Sequence, residues 1–276
     1  KPCFMTYEIK PRQNFNLGLD ELWQYRELFY FFTWRDVKVK YKQTFLGFAW
    51  AVLQPFLTMV IFSIFFGQAL KVPSENLPYP VFVFSGLLLW NIFSSGITAA
   101  GNSMINNANI IKKIYFPRFI IPISSILVSL FDFLMAAIIF IAMLIYYKVN
   151  VHLFHLLIFL PLSIILTCIS TFGIGTLLAA LTIKYRDFRY IIPFLVQSLL
   201  FITPVIYPVS ILETEWLKYL MALNPIYSAV ILFRSAFVDS PLELDLLLIS
   251  VCSAITFFIG GMYYFRKTEA YFADIA

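Results

Sequence analysis

Long uncharged runs dominate this chain, and short polar knots interrupt them. No charge falls in 45–70, in 79–100, in 149–183, in 190–212 or in 246–265, and 119–147 holds only Asp132. A helix that crosses a bilayer needs about 20 predominantly apolar residues. The pattern therefore predicts an all-α integral membrane protein with six transmembrane helices, at about 45–70, 79–100, 119–147, 153–183, 190–207 and 243–265. An even number of spans puts both termini on one side. The run 149–183 is longer than a crossing requires and predicts a tilted or protruding helix. Prolines break the run 190–212.

Two segments are patterned but cannot span. In "DELWQYRELFYFFTWRDVKVKYKQ" (20–43), Leu22, Tyr25, Phe29 and Phe32 recur at helical spacing, with Trp23 and Trp34 nearby. Arg35, Asp36, Lys38, Lys40 and Lys42 are too many charges for a bilayer core. A helix lying along the membrane surface is expected, N-capped at Asp20, its lysines near anionic headgroups. A soluble amphipathic helix packed on a partner gives the same pattern. The second segment, 208–240, follows "TPVIYP", where Pro204 and Pro208 must stop or kink the fifth span. A short helix over 213–223 presents Trp216, Leu217, Leu220 and Met221. Asn224 as cap and Pro225 at the first helical position then start another, reaching Val238. Two helices too short to cross predict a re-entrant hairpin. Such backbone is tolerated at membrane depth only against protein or water, so the hairpin is expected to face a partner subunit or a pathway.

Composition agrees: 61% of residues are hydrophobic and 13% charged, against about 45–50% and about 25% in soluble domains. The domains expected are a cytoplasmic segment 1–44, a membrane domain 45–265 and a tail 266–276. No cleavable signal peptide is expected, because 1–44 carries eight Lys/Arg and no long apolar core. Cys3, Cys168 and Cys252 imply no disulfide framework. The net charge is +5. Nucleic acid is not the partner it implies, because the charges sort by side. Sixteen Lys/Arg fall in the N-terminal segment, the loops after spans two and four, and the tail, against four (Lys71, Lys148, Lys218, Arg234) on the other side. The positive-inside rule then puts both termini in the cytoplasm.

Catalytic chemistry is sparse. There is no G-x-x-x-x-G-K-[ST] phosphate loop, so ATP hydrolysis by that route is excluded. His152 and His155 have the i, i+3 spacing of a metal pair, but no carboxylate or cysteine lies close in sequence, and a metal wants three or four ligands. No metal site and no nucleophilic triad is expected. Asp132 is the one acid inside a span; it should face the protein interior, as a functional group or as a hydrogen-bonded structural one. "KYRDFRY" (184–190) sets Arg186 beside Asp187, either as a solvated turn or as a contact for a cytoplasmic partner. Aromatics are dense, with 31 Phe, 16 Tyr and 5 Trp. Several crowd the first span, where they either face lipid or line a path for sugar rings.

Four motifs in order carry a resemblance. "KVKYKQTFLGFAWAVLQP" (38–55), "NANIIKKIYFPRFIIP" (107–122), "YRDFRYIIPFLVQSLLFITPVIYP" (185–208) and "NPIY" (224–227) with the later Arg234 resemble the permease subunits of ABC exporters for cell-surface polysaccharides. The likeness covers nearly the whole chain, except the segment before Asp20. It implies a homodimer of permeases served by two separate ATPase subunits, which use ATP and Mg; no cofactor is expected on this chain. The substrate implied is a lipid-linked polysaccharide, O-antigen first, with capsular polysaccharide or teichoic acid as alternatives, and membrane lipids as further partners. It places ATPase coupling in the loop 104–118, on Asn109, Ile110, Lys112, Lys113, Tyr115, Phe116, Pro117 and Arg118. There the apolar side chains Ile110, Ile111, Ile114 and Phe116 would seat in a groove of the ATPase. Arg186 and Asp187 make a second cytoplasmic contact. Trp23, Phe29, Trp34, Arg35, Lys38 and Lys40 belong to the interface helix. Phe45, Phe48, Trp50, Phe56 and Tyr207 are expected along the channel, and Trp216, Tyr219, Asn224, Pro225 and Arg234 at an outer gate. Rival classes are a proton-coupled flippase working through Asp132, a membrane transferase, which lacks its acid/His cluster, and a scaffold.

Overall fold

The computed structural model describes residues 23–42, 47–114, 116–238, 241–269 and 272. All regular structure among them is helical. The helices are α1 (Arg26–Lys42), α2 (Ala49–Phe62), which continues as a π-helix (Ser63–Ala69), α3 (Tyr79–Asn106), α4 (Ala108–Ile111), α5 (Ile120–Tyr146), α6 (Leu153–Lys184), α7 (Phe188–Ile202), α8 (Glu215–Ala222), α9 (Tyr227–Arg234) and α10 (Leu244–Glu269).

Five of these are long and apolar enough to cross a membrane: α2 with its π turn, α3, α5, α6 and α10. The count reaches six only when α8 and α9, bent by 102° at a short break, are taken together. The expected fifth span is α7, and it is shorter than the sequence predicts. Its 15 residues make a rod of about 22 Å, short of a hydrocarbon core of about 30 Å. Thr203 has extended backbone (φ −85°, ψ 138°), as a residue before proline prefers, so the helix ends there.

α3 is the hub. Val81 to Leu89 are almost wholly buried, and the helix packs on α2, α5, α6, α7 and α9. Lipid gives helices no hydrophobic reason to associate, so close packing of small residues must hold them. Gly175 meets Ala100 of α3, and an added Cβ on Gly96 would collide with Thr171. At Gly173 a Cβ would sit 2.5 Å from the Phe258 nitrogen, so α6 and α10 touch backbone to backbone.

The hairpin departs from its reading in three ways. α9 starts at Tyr227 with Ile226 at its cap, not at Asn224 and Pro225, and it ends at Arg234, not Val238. The Asn224 Oδ1 instead accepts from the Ile226 N–H (3.3 Å), and its Nδ2 donates to Thr203 Oγ1 (2.7 Å), which ties the hairpin to the broken end of α7. α9 is also core: Tyr227 to Phe233 pack against α3, α6 and α10, and face no open pathway. Only α8 turns outward, with Trp216 and Tyr219 exposed.

Arg234 is likewise no loop charge. It is 3% exposed and lies 3.7 Å over the Phe82 ring. It donates to the carbonyls of Pro204, Val205 (2.7 Å) and Phe82 (3.1 Å), and to Ser85 Oγ (3.3 Å). The two prolines that break the chain after α7 leave carbonyls without helical donors, and one guanidinium fork satisfies them. The Tyr79 hydroxyl donates to the Ile206 carbonyl of the same break (2.8 Å). Gly86 leaves room for the Arg234 guanidinium.

Candidate functional site

Two features of one half of the molecule stand out. The first is the end of the bundle that gathers Lys112, Lys113, Arg118, Lys184, Arg186, Arg189 and Arg266; the second is a polar cleft that climbs from it.

At the basic end, α3 breaks at Asn107 and the one-turn helix α4 follows. Asn107 is buried and pinned: its Nδ2 donates to the Ser103 carbonyl (2.8 Å), and its Oδ1 accepts from Arg35 Nη2 of α1 (2.8 Å). Arg35 also pairs with Asp36 (2.7 Å) and sits over the Phe32 ring (4.7 Å). Phe32 in turn meets Phe116, ring centroids 5.6 Å apart. α1 and the loop after α3 are therefore one packed unit.

That packing corrects the expected docking surface. Ile111 and Phe116 are buried (5% and 4% exposed), with Pro117 beside them, so they seat in this chain's own core and not in a partner's groove. Arg118 is engaged too, its backbone N–H on Glu269 Oε1 (3.2 Å) and its side chain on the Glu269 carbonyl. The surface left open is Asn109, Lys112, Lys113 and Ile114, with Ile110 half-buried. Tyr115 lies outside the described residues, as does Asp20. Arg186 and Asp187 flank the same end, beside Ile105 and Ala108, so the two expected contact regions are neighbours.

α1 differs from a simple amphipathic helix. Phe32, Val37 and Tyr41 are buried on the protein side, and Phe29 is half-buried. Trp23, Tyr30, Phe31, Trp34 and Val39 are exposed on the other, with the Lys38 ammonium 5.3 Å from the Trp34 ring centroid. Aromatic and lysine side chains on the free face suit a membrane interface. Lys40 does not join them. It pairs with Asp132 of α5, which also accepts from the Tyr41 hydroxyl. Burial, and then Asp132, push the Tyr41 phenol well up, so it stays a donor. Asp132 thus binds α1 to α5, and no chain of ionisable groups leads from it among the lining residues of its cleft.

The cleft, of about 460 Å³, lies between α1, α2, α3, α5 and α7. Trp50 and Gln54 line it from α2, Asn91, Ser94, Ser95 and Thr98 from α3, and Lys40, Tyr41 and Asp132 close it. A second hollow shares Thr98 and Ala99 and continues past Asn102 and Asn106 to Arg189 and Tyr190. One face of α3 is therefore polar from mid-span to the basic end. Its spacing of three and four residues could have been read in "NIFSSGITAAGN", but the sequence reading missed it. Of the residues expected along the channel, Trp50 lines this cleft. Phe48 instead stacks on Tyr41 (4.6 Å), Phe56 packs on the core, and Tyr207 donates to the Phe201 carbonyl (2.5 Å). Phe45 lies outside the described residues. The rings of His152 and His155 are 5.7 Å apart, with no third metal-ligating group beside them among the described residues.

Residues 27–238 match the family model for ABC-2 type transporters. The chain belongs to that family. As an ABC-2 membrane protein it is multi-pass, in keeping with its apolar helices. It is 29% identical over 241 residues to the O-antigen export system permease protein RfbA of Klebsiella pneumoniae, covering 87% of this chain and 92% of that one. A protein of the same name from Myxococcus xanthus is 29% identical over 221 residues, 79% and 83% of the two chains. The polysialic acid transport protein KpsM of Escherichia coli is 24% identical over 246 residues, 86% and 92%. The matched residues span α1, the loop after α3, the polar cleft and α9.

Proposed function

We propose that this chain is the channel-forming subunit of an ATP-driven exporter that moves a lipid-linked polysaccharide, O-antigen in the first instance, across the bacterial inner membrane. The observation that carries this is the near full-length similarity to two permeases named for O-antigen export, at higher identity than to the polysialic acid transporter. Capsular polysaccharide or teichoic acid would use the same machinery. The basic end faces the cytoplasm, by the positive-inside rule.

Two copies pair, and two ATPase subunits dock below them. α2 supports the pairing: only 11% of its apolar stretch is buried by its own chain, and α7 beside the cleft exposes Tyr190, Phe194 and Phe201. Each ATPase engages Asn109, Lys112, Lys113 and Ile114, with Arg186 and Asp187 as a second contact. Its closing movement passes through a contiguous set of contacts. Phe116 presses on Phe32, Asn107 holds Arg35, and Lys40 and Tyr41 hold Asp132 on α5. α5 and α1 both border the cleft, so motion at the docking loop reaches the path wall. The lipid pyrophosphate approaches past the basic residues at this end, and the glycan follows. A proton-coupled flippase fits less well, because Asp132 is held by an ammonium and a phenol.

Deleting the chain's gene and following the polymer tests this. Surface polysaccharide is expected to vanish while lipid-linked polymer accumulates inside, with restoration by the intact gene. Unchanged surface polymer would overturn the reading.

A further inference from the structure

The cleft beside span two and the hollow that continues it each carry a polar side-chain atom on their α3 wall, Asn91 in the cleft and Asn102 in the hollow, that has no partner among the described residues. Asn91 Nδ2 and Asn102 Oδ1 are buried without a hydrogen bond. An orphaned buried amide group is destabilising, and in a membrane core there is no bulk solvent to relieve it. The hydroxyls of Ser95 and Thr98 donate to the Asn91 and Ser94 carbonyls (2.5 and 2.8 Å), which leaves their lone pairs to accept. Across the cleft, Trp50 and Gln54 stand four residues apart on one face of α2. Trp50 offers a flat apolar ring and Gln54 a second amide, each amide able to donate and accept.

Charge decides what such a wall takes. Among the described residues, the one cation lining the cleft, Lys40, is already matched by the one acid, Asp132. A phosphate or other anion would have to break that pair and then face the carboxylate. A neutral, hydroxyl-rich ring meets no such cost. Its hydroxyls both donate and accept, as amides require, and its C–H face matches an indole. The volume of about 460 Å³ lies within the range of small-molecule sites, about 300–1,000 Å³.

We propose that the Trp50–Gln54 edge of α2 and the Asn91–Thr98 stripe of α3 form a sugar-binding subsite for neutral pyranose units, ring face on Trp50 and hydroxyls on the Asn91 and Gln54 amides. This rests on the export reading above and names the residues that the glycan touches as it passes. Neutrality also lets the subsite pass successive units, because no ion pair forms that must be broken at each step.

The test is photo-crosslinking in polymer-producing cells that carry the full complex. Benzoylphenylalanine replaces Trp50, or Gln54 should the first variant fail to assemble. Ile61, exposed on the same helix but away from the cleft lining, is the control. Glycan attached to the chain is detected with an antibody to the polymer. A polymer-dependent adduct at 50 or 54, at least fivefold above that at 61, and reduced at least fivefold by Asn91→Leu, is expected. Adducts only to a second copy of the chain, or equal glycan labelling at 61, while polymer still reaches the surface, would overturn the subsite and leave the export reading standing. If surface polymer does not depend on the chain at all, it is the export reading that fails.

Discussion

The buried guanidinium of Arg234 gives the most quantitative handle on the fold. Its donors reach the carbonyls of Pro204, Val205 and Phe82 and the Ser85 hydroxyl, and its plane lies on the Phe82 ring. Arg234→Met keeps most of the volume and removes every donor. The Pro204 and Val205 carbonyls, in non-helical backbone, are then left buried and unpaired at about 1–3 kcal/mol each. A desolvated cation–π contact of about 2 kcal/mol goes as well. Taking a charge out of a buried site gives some of this back, so the net loss is about 3 kcal/mol. Arg234→Lys keeps the charge but not the fork and should also lose stability. Detergent-purified protein, titrated with dodecyl sulfate and followed by circular dichroism, reads the change. A Met variant within about 0.5 kcal/mol of the parent, the range of an ordinary surface change, would refute the view that one side chain holds the break after α7.

Three further changes separate the parts of the account. Gly173→Ala pushes a Cβ into the Phe257–Phe258 backbone and is expected to abolish folded protein in membranes, while Gly260→Ala, which meets nothing within 4 Å, should be neutral by the same expression assay. Replacing Lys112, Lys113 and Ile114 by Ala should leave the melting curve unchanged and cut both export and co-purification with an ATPase; Phe116→Ala should instead destabilise the chain by about 3 kcal/mol, because its ring is buried against Phe32. Asp132→Ala should cost more stability than Lys40→Ala, since it strips the acceptor from both Lys40 and the buried Tyr41 hydroxyl, whereas the Lys40 side chain is 43% exposed and its pairing is largely screened; equal effects in a thermal shift assay would count against the assignment.

What could be read from the sequence was whatever local physics dictates. Apolar run length located α3, α5, α6 and α10 closely, and the Pro204 and Pro208 signal placed the break after α7. The Asn107 turn and the α1 segment were visible as polar interruptions. What escaped depends on side chains far apart in the chain. Arg234 reads as a loop charge until it is seen to meet a break 29 residues earlier, and Lys40 reads as a headgroup ligand until it meets Asp132, 92 residues away. Phe116 and Ile111 looked like a partner's contacts because exposure cannot be judged without α1 packed on them. The polar stripe on α3 was present in the spacing of Asn91, Ser94, Ser95, Thr98 and Asn102, masked by an otherwise apolar run.

The central claim is that this chain works as the membrane half of an ATP-driven exporter. Gentle purification from native membranes, with the mass of the intact assembly and the identity of its subunits, tests it most directly. A complex of two copies with two subunits that carry a phosphate-binding loop, hydrolysing ATP and losing that partner when Lys112, Lys113 and Ile114 are replaced, is the expected result. A stable homodimer without a nucleotide-binding partner would contradict it.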